Sequence, residues 1–168
     1  MYNNNYWILR AYGEGNSAPN NYATLDIGLK NKSDENQQIY VIGGNASNPQ
    51  YGAPWNIALV SRLVVGTGTT SATAADVDLE EDVTSSFSNL ARSCTTAADG
   101  ESLKTNYEIS GVNSTGAPIT ISEIGIETLV KNPSNVNVYI LTARKVFSEP
   151  MTVGAGASFS LTVTATTK

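Results

Sequence analysis

The chain contains no histidine, and this absence excludes more chemistry than any other feature of the sequence. Without an imidazole there is no Ser-His-Asp or Cys-His nucleophile, no histidine-ligated zinc and no histidine acid–base catalysis. Cys94 is the single cysteine, so a disulfide within the chain and a four-cysteine zinc site are both ruled out. We expect Cys94 to be a small, partly buried thiol, and any enzyme chemistry would have to use carboxylates or lysine.

Charge is also scarce. Charged residues make up 15% of the 168 residues, against roughly 25% in an average soluble domain, and Thr, Ser, Asn and Gly take their place. The net charge is -5, and the ten Lys and Arg residues never form a run of three. Proteins that bind the phosphate backbone rely on clustered cations, so we expect no nucleic-acid partner. The composition is typical of extracellular or virion β-proteins.

Long apolar runs are missing as well. No stretch approaches the ~20 apolar residues that cross a bilayer, and the start of the chain lacks the basic and apolar regions of a signal peptide. We therefore expect no membrane partner. The length fits one domain, which we predict to span residues 1–168, with residues 1–20 as an N-terminal arm or an edge strand.

What the sequence does contain is a series of short β-strand patterns separated by Gly-, Pro- and Asn-rich turns. Residues 56–66 fit a helix or a strand, with strand favoured in the second half. Residues 85–100 are patternless and predicted to be a loop with a short strand, and residues 112–118 are predicted to be a hairpin-like turn. Strands are predicted at residues 6–12, 22–30, 38–42, 103–111, 119–127, 137–147 and 157–166. With no long amphipathic helix, the pattern predicts an all-β antiparallel sandwich or jelly roll with long loops.

The densest charged segment is the acidic run from Asp76 to Asp82. If this run is a strand, its alternate carboxylates project from one face and repel unless they are solvated or neutralised by a cation; these are Asp76, Asp78, Glu80 and Asp82. Calcium is one candidate, although the Gly and terminal Glu of an EF-hand loop are missing. A solvated acidic edge that discourages strand pairing is the favoured interpretation, and docking against a basic partner is a third.

Two further groups of residues, one of carboxylates and one of aromatics, each suggest a class of function. Asp26, Glu123 and Glu127 could join the acidic run in a carboxylate-only glycosidase, but nothing in the sequence pairs them, and we expect Glu123 and Glu127 to be exposed. Five aromatic residues are candidates for an interface: Tyr6, Trp7, Tyr12, Tyr51 and Trp55. The last four are also candidates for a sugar-binding platform, since Tyr51 and Trp55 flank a loop. Core and loop-packing roles are favoured for the tryptophans. The sequence therefore predicts no catalytic residue, no cofactor and no enzyme.

Two passages resemble a known group, and the second consists of three segments. Val64 to Asp76, leading to Leu79-Glu80, is similar to a V-G-x-G-T-T-x-x-T-x-x-D-x-x-L-E passage of small virion proteins from tailed bacteriophages. Ile121 to Ile126 and Leu141 to Phe147 resemble the I-T-E-I-G-L and L-L-A-R strands of the same group, and Pro150 to Val163 resembles its P-x-T-V-x-x-G-x-S turn into a last strand. The resemblance covers residues 57–168, whereas residues 1–54 match nothing familiar.

The resemblance implies a structural protein without catalytic residues: a capsid decoration or cement protein, or else a head fibre or tail-associated adaptor. It also implies a homo-oligomer located in the virion and assembled in the host cytoplasm, with the major capsid protein or tail and portal proteins as partners. A carbohydrate-binding β-sandwich remains the alternative outside this class. Within the motifs, we expect Arg144 to pair with Glu123 or Glu127, and Gly125 to lie where a bulge or another backbone approaches the strand.

Overall fold

The computed structural model describes residues 23–34, 36–41, 61–99, 102–131 and 137–167. Apart from one turn of 3-10 helix at Thr84–Ser86, the regular structure of these residues is all β. The strands are β1 (Ala23–Lys30), β2 (Asn36–Val41), β3 (Ser61–Gly66), β4 (Phe87–Asp99), β5 (Ser102–Asn113), β6 (Ile119–Lys131), β7 (Asn137–Val153) and β8 (Ser158–Thr167).

Six of these strands form two antiparallel sheets of three strands each. We call β3-β6-β7 sheet I and β4-β5-β8 sheet II, named in spatial order. The chain passes from sheet II to sheet I between β5 and β6, and returns between β7 and β8. The strands β1 and β2 pair with each other as a separate antiparallel hairpin. The predicted all-β, sandwich-like fold is confirmed.

The main core lies between the two sheets. Alternate residues of each strand point inward, so each sheet contributes one apolar face. Two phenylalanines at opposite edges of sheet II, Phe87 and Phe159, meet with ring centroids 4.6 Å apart. The buried residues of this core are Leu63, Val65, Ile121, Ile124, Ile126, Ala143 and Val153 from sheet I, and Phe87, Tyr107, Ile109 and Phe159 from sheet II.

The strand predictions are confirmed wherever described residues test them, with two corrections. Residues 85–100 are not mainly loop but contain β4, a 13-residue strand. The sequence of β4 does not show the alternation of apolar and polar residues that marks a half-buried strand. This is because β4 is an edge strand with small, exposed outward residues, and its inward Cys94 is only half-buried. Residues 112–118 form a turn as predicted, yet the turn joins two sheets instead of closing a hairpin. The predicted strand at residues 6–12 lies outside the described residues.

The chain crosses between the sheets after β3, after β5 and after β7, and Asn113 fixes the place where the last two of these crossovers meet. Its side chain is 1% exposed, and its amide nitrogen donates to the carbonyls of Ala117 (2.9 Å) and Val153 (3.0 Å). Its side-chain oxygen accepts from the backbone and hydroxyl of Thr115, and its own backbone bonds the turn after β7. One buried amide therefore ties the β5–β6 turn to the β7–β8 turn.

We predict that Asn113→Ala lowers the free energy of unfolding by about 2–4 kcal/mol, because it leaves buried carbonyls without donors. The matched control is Asn106→Ala on the same strand, where an exposed amide accepts one bond from Thr164 and we expect a loss of about 0.5 kcal/mol. Urea unfolding of both variants measures the difference. Equal losses would contradict the role assigned to Asn113.

Candidate functional site

The outer face of sheet I, opposite the main core, carries two buried glutamates. Glu123 and Glu127 lie on β6 on either side of Gly125, and both are 0% exposed. The prediction that they are exposed is wrong, because the segment that follows β3 folds back over the sheet it has just left. Backbone bonds from Thr67 to Glu81 and from Val83 to Val65 hold this segment in place. We call residues 67–83 the cover loop.

Arg144 forms the first of two ionic centres under the cover loop. Its side chain is 4% exposed, and its Nε lies 2.7 Å from Oε2 of Glu123. Its two terminal nitrogens reach the cover loop, at 2.9 Å from Oδ2 of Asp76 and 3.5 Å from Oε2 of Glu80. The predicted pairing of Arg144 with Glu123 is confirmed, and the two cover-loop partners were not foreseen.

Backbone amides complete the surroundings of the Glu123 carboxylate. It accepts N–H bonds from Gly68 at 3.1 Å, from Glu80 at 3.2 Å and from Glu81 at 2.9 Å. A side chain at Gly66 or Gly68 would collide with this carboxylate, so the glycines of the Gly-Thr-Gly passage permit the close approach. The carboxylate thus organises both ends of the cover loop.

The threonines of the cover loop close its turns through the other two carboxylates. Asp76 accepts from the backbone (2.9 Å) and the hydroxyl (2.7 Å) of Thr73. Glu80 accepts from the backbone amides of Thr69 and Thr70, both at 2.8 Å, and from the hydroxyl of Thr70. Each carboxylate therefore stabilises the loop conformation that presents it to Arg144.

The second ionic centre surrounds Glu127. Its Oε2 lies 2.7 Å from Nε of Arg62, and its Oε1 lies 2.8 Å from the ammonium of Lys32. The same ammonium is 3.0 Å from Oδ1 of Asp78 and 3.1 Å from Oδ2 of Asp82. Lys32 belongs to the turn between β1 and β2, so this centre joins the hairpin to the cover loop and to sheet I.

Leu79 separates the two centres. Its side chain is 5% exposed and packs with Val64 and Leu141 in a small apolar cluster on the outer face of sheet I. Gly125 makes the space for it, since a Cβ there would lie 3.0 Å from Leu79 and 2.8 Å from Leu141. A backbone or a bulge was expected at Gly125, whereas the groups that approach it are side chains, among them Leu79 of the cover loop.

The acidic run is therefore not a strand with one carboxylate face, and that prediction is wrong. Asp76 and Glu80 turn toward Arg144, whereas Asp78 and Asp82 turn toward Lys32. Two cations from distant parts of the chain relieve the repulsion that the sequence suggested. The four residues do not form the single calcium-binding edge that the alternation indicated, and they are not simply solvated.

The electrostatics of the two centres favour the charged forms of Asp76, Asp82 and Lys32. Burial alone would raise the pKa of Asp76, but hydrogen bonds from Arg144 and Thr73 outweigh it and hold this pKa below its usual value. The pKa of Asp82 is lowered in the same way, burial being outweighed by bonds from Thr84 and Lys32. For Lys32, burial opposes the charge, but Glu127 and Asp78 raise the pKa of the ammonium above its ordinary range.

This geometry bears on the glycosidase candidates. A carboxylate that acts as nucleophile or acid must reach substrate, yet Glu123 and Glu127 are fully buried and held by guanidinium groups. The Cys94 thiol is half-buried, and burial raises its pKa, which disfavours the reactive thiolate. The side chain of Asp26 and the interface candidates Tyr6, Trp7, Tyr12, Tyr51 and Trp55 lie outside the described residues.

Comparison with known proteins gives no match, whether to a protein family, to a curated protein or to a solved structure. In the described residues no helix is long and apolar enough to span a membrane. The site must therefore be interpreted from its own chemistry, which is that of two ion-paired centres closing a loop over a sheet.

We predict that Gly125→Val expels Leu79 and loosens the cover loop, because the added side chain overlaps a filled space. The expected loss is about 1–3 kcal/mol in the free energy of unfolding, with faster proteolysis within residues 67–83. Gly116→Val is the control, since a Cβ at Gly116 meets nothing within 4 Å. Equal stability and equal cleavage of the two valine variants would refute the packing role of Gly125.

The lowered pKa of Asp76 predicts a pH-dependent contribution to stability. A depressed folded-state pKa stabilises the fold above the unfolded value, near 3.8, and the contribution disappears as pH falls through the folded value. We expect Asp76→Asn to be less stable than wild type at pH 6, with the difference shrinking as the pH falls from 3.8 through the lower folded-state pKa. Asp34→Asn, in an exposed pair with Lys30, is the control and should differ little from wild type at pH 6. A gap for Asp76→Asn that does not shrink in acid would contradict the assignment.

Proposed function

We propose that this chain is a non-enzymatic structural protein of a tailed-bacteriophage virion, acting as a capsid decoration or cement protein. The observation that carries the proposal is the role of the motif residues. Residues of the passages that carry the resemblance hold the cover loop to sheet I. They include Gly68, Asp76, Glu80, Glu123 and Arg144. A motif set with this role is what a structural scaffold requires.

The outer face of sheet II supports a role in packing between subunits. Its described residues are exposed and mostly small and uncharged, which lets another surface approach closely; they are Ala91, Ser93, Thr95 and Ala97 of β4, Lys104, Asn106 and Glu108 of β5, and Ser160, Thr162, Thr164 and Thr166 of β8. In the proposed mechanism, a homo-oligomer binds the major capsid protein and stabilises the head by burying surface between neighbours. The sandwich is the rigid part of this arrangement.

Purified particles test the proposal. We expect the chain in intact virions, at a copy number that is a simple multiple of the capsomer count, with density on the capsid faces by electron cryo-microscopy. Particles that lack the chain should lose their contents at lower temperature than complete particles. Absence of the chain from intact particles would overturn the proposal, and a position only at a vertex or on the tail would favour the head-fibre or tail-adaptor alternative.

The carbohydrate-binding alternative predicts a different result. A glycan array should then show binding by the wild-type chain that Trp55→Ala abolishes. No binding on the array would dismiss this alternative without affecting the virion proposal.

A further inference from the structure

In the described residues, sheets I and II have four edge strands, and three of them carry a feature that blocks further strand pairing. Along β3, backbone bonds from the cover loop and a hydrogen bond from the guanidinium of Arg92 occupy the edge. The strand β4 is bulged between Ser88 and Ala91, where Asn89 has a φ of 51°. The strand β7 carries Pro150, which has no N–H to donate, in a stretch where its register with β6 shifts.

The fourth edge strand, β8, has none of these features. It runs from Ser158 to Thr167 in unbroken register with β5, and these residues include no proline, no glycine and no charged side chain. Every second residue directs its N–H and C=O away from β5, and the part of the chain that the structure describes places no strand on that side. An open, regular and uncharged edge is a template for pairing with another strand.

The inner face of β8 also indicates that a further strand belongs beside it. Tyr107 and Ile109 of the neighbouring β5 are buried in the main core. Val163 and Leu161, which lie next to them on β8, are only half-buried, and so is Ala165. Core side chains at this edge therefore remain in contact with water, and a strand added beside β8 would cover them.

The chemistry of β8 favours a second copy of the same chain as the partner. The chain has a net charge of -5, so two copies repel each other unless they meet at an uncharged surface such as β8. An antiparallel pair about a two-fold axis at Val163 is self-complementary. It places Leu161 opposite Ala165 of the other copy on the inner face, and Thr162 opposite Thr164 on the outer face.

The charges next to β8 are compatible with this register. The outer face of β5 carries two charged residues, Lys104 and Glu108. Across the two-fold axis, Lys104 lies in line with Ser110 of the second copy, and Glu108 lies in line with Asn106. The pairing therefore brings no like charges together.

We propose that β8 pairs antiparallel with β8 of a second copy, with Val163 on the two-fold axis. Two copies of sheet II then form one continuous sheet of six strands, three from each copy. The pairing satisfies the open N–H and C=O groups of both edges and covers the half-buried side chains behind them. It rests on the proposed function only for its biological role, as the interface of the homo-oligomer. Because it is tested on the isolated chain, its failure would leave the virion assignment untouched.

Analytical ultracentrifugation of the full chain tests the pairing. Wild type at about 100 μM should sediment with the mass of two chains, which requires a dissociation constant of about 10 μM or below. Thr162→Lys combined with Thr164→Lys sets lysines directly opposite each other and should weaken dimerisation by at least about tenfold. Because the cause is charge repulsion, about 1 M NaCl should restore the dimer of this variant.

Two double variants serve as controls. Ser93→Lys combined with Thr95→Lys adds the same charge to the other edge strand, beside the same two residues of β5, and should stay dimeric. Thr162→Lys combined with Thr164→Glu sets a lysine opposite a glutamate twice and should dimerise at least as tightly as wild type. A register with residue 164 on the axis would instead bring two glutamates together, so this variant also tests the register.

The outcomes that would overturn the proposal are distinct. A wild type that sediments as a monomer overturns it, and so does a β8 lysine variant that dimerises as tightly as the β4 lysine variant. Loss of the dimer in the lysine–glutamate variant overturns the register. All four substituted positions are exposed, so we expect the variants to fold. If one does not, amide exchange of wild type decides: residues 158–167 should exchange more slowly at about 100 μM than at about 1 μM, and equal rates contradict the pairing.

Discussion

The ion pair between Arg144 and Glu123 is the interaction on which the outer half of sheet I depends. Both side chains are almost completely removed from water, and removing two charges from water is unfavourable unless each is well paired. Here the guanidinium meets three carboxylates, and the Glu123 carboxylate also accepts three backbone amides. Loss of either partner would leave a buried charge, so strands β6 and β7 and the cover loop hold one another in place.

This pair also explains why three separate sequence patterns occur together. The Gly-Thr-rich passage supplies the amides and turns, the strand with Glu123 and Gly125 supplies the central carboxylate and the space for Leu79, and the strand with Arg144 supplies the cation. Each of these residues depends on partners from the other two passages. The three patterns therefore specify a single packing arrangement, which is why they indicate a structural scaffold.

The sequence was informative where structure is decided locally. Strands β6 and β8 and the turn containing Gly156, whose φ is 71°, follow from alternation and glycine signals within a few residues. The acidic run misled because its cations are remote: Arg144 lies 68 positions from Asp76, and Lys32 lies 50 positions from Asp82. Local alternation favoured a strand, but distant ion pairs and the burial of Leu79 decided the outcome. Only the pairing of Arg144 with Glu123 was accessible, because a cation on a buried strand requires a neighbouring carboxylate.

The two ionic centres differ in the part of the fold that supplies the cation, and this gives them different structural roles. At the first, the cation comes from sheet I itself, and backbone amides lock the central carboxylate. At the second, the cation is the ammonium of a lysine that is 34% exposed, on a hairpin that pairs with neither sheet. The first centre therefore fixes the cover loop to sheet I, and the second joins the hairpin to both the cover loop and sheet I.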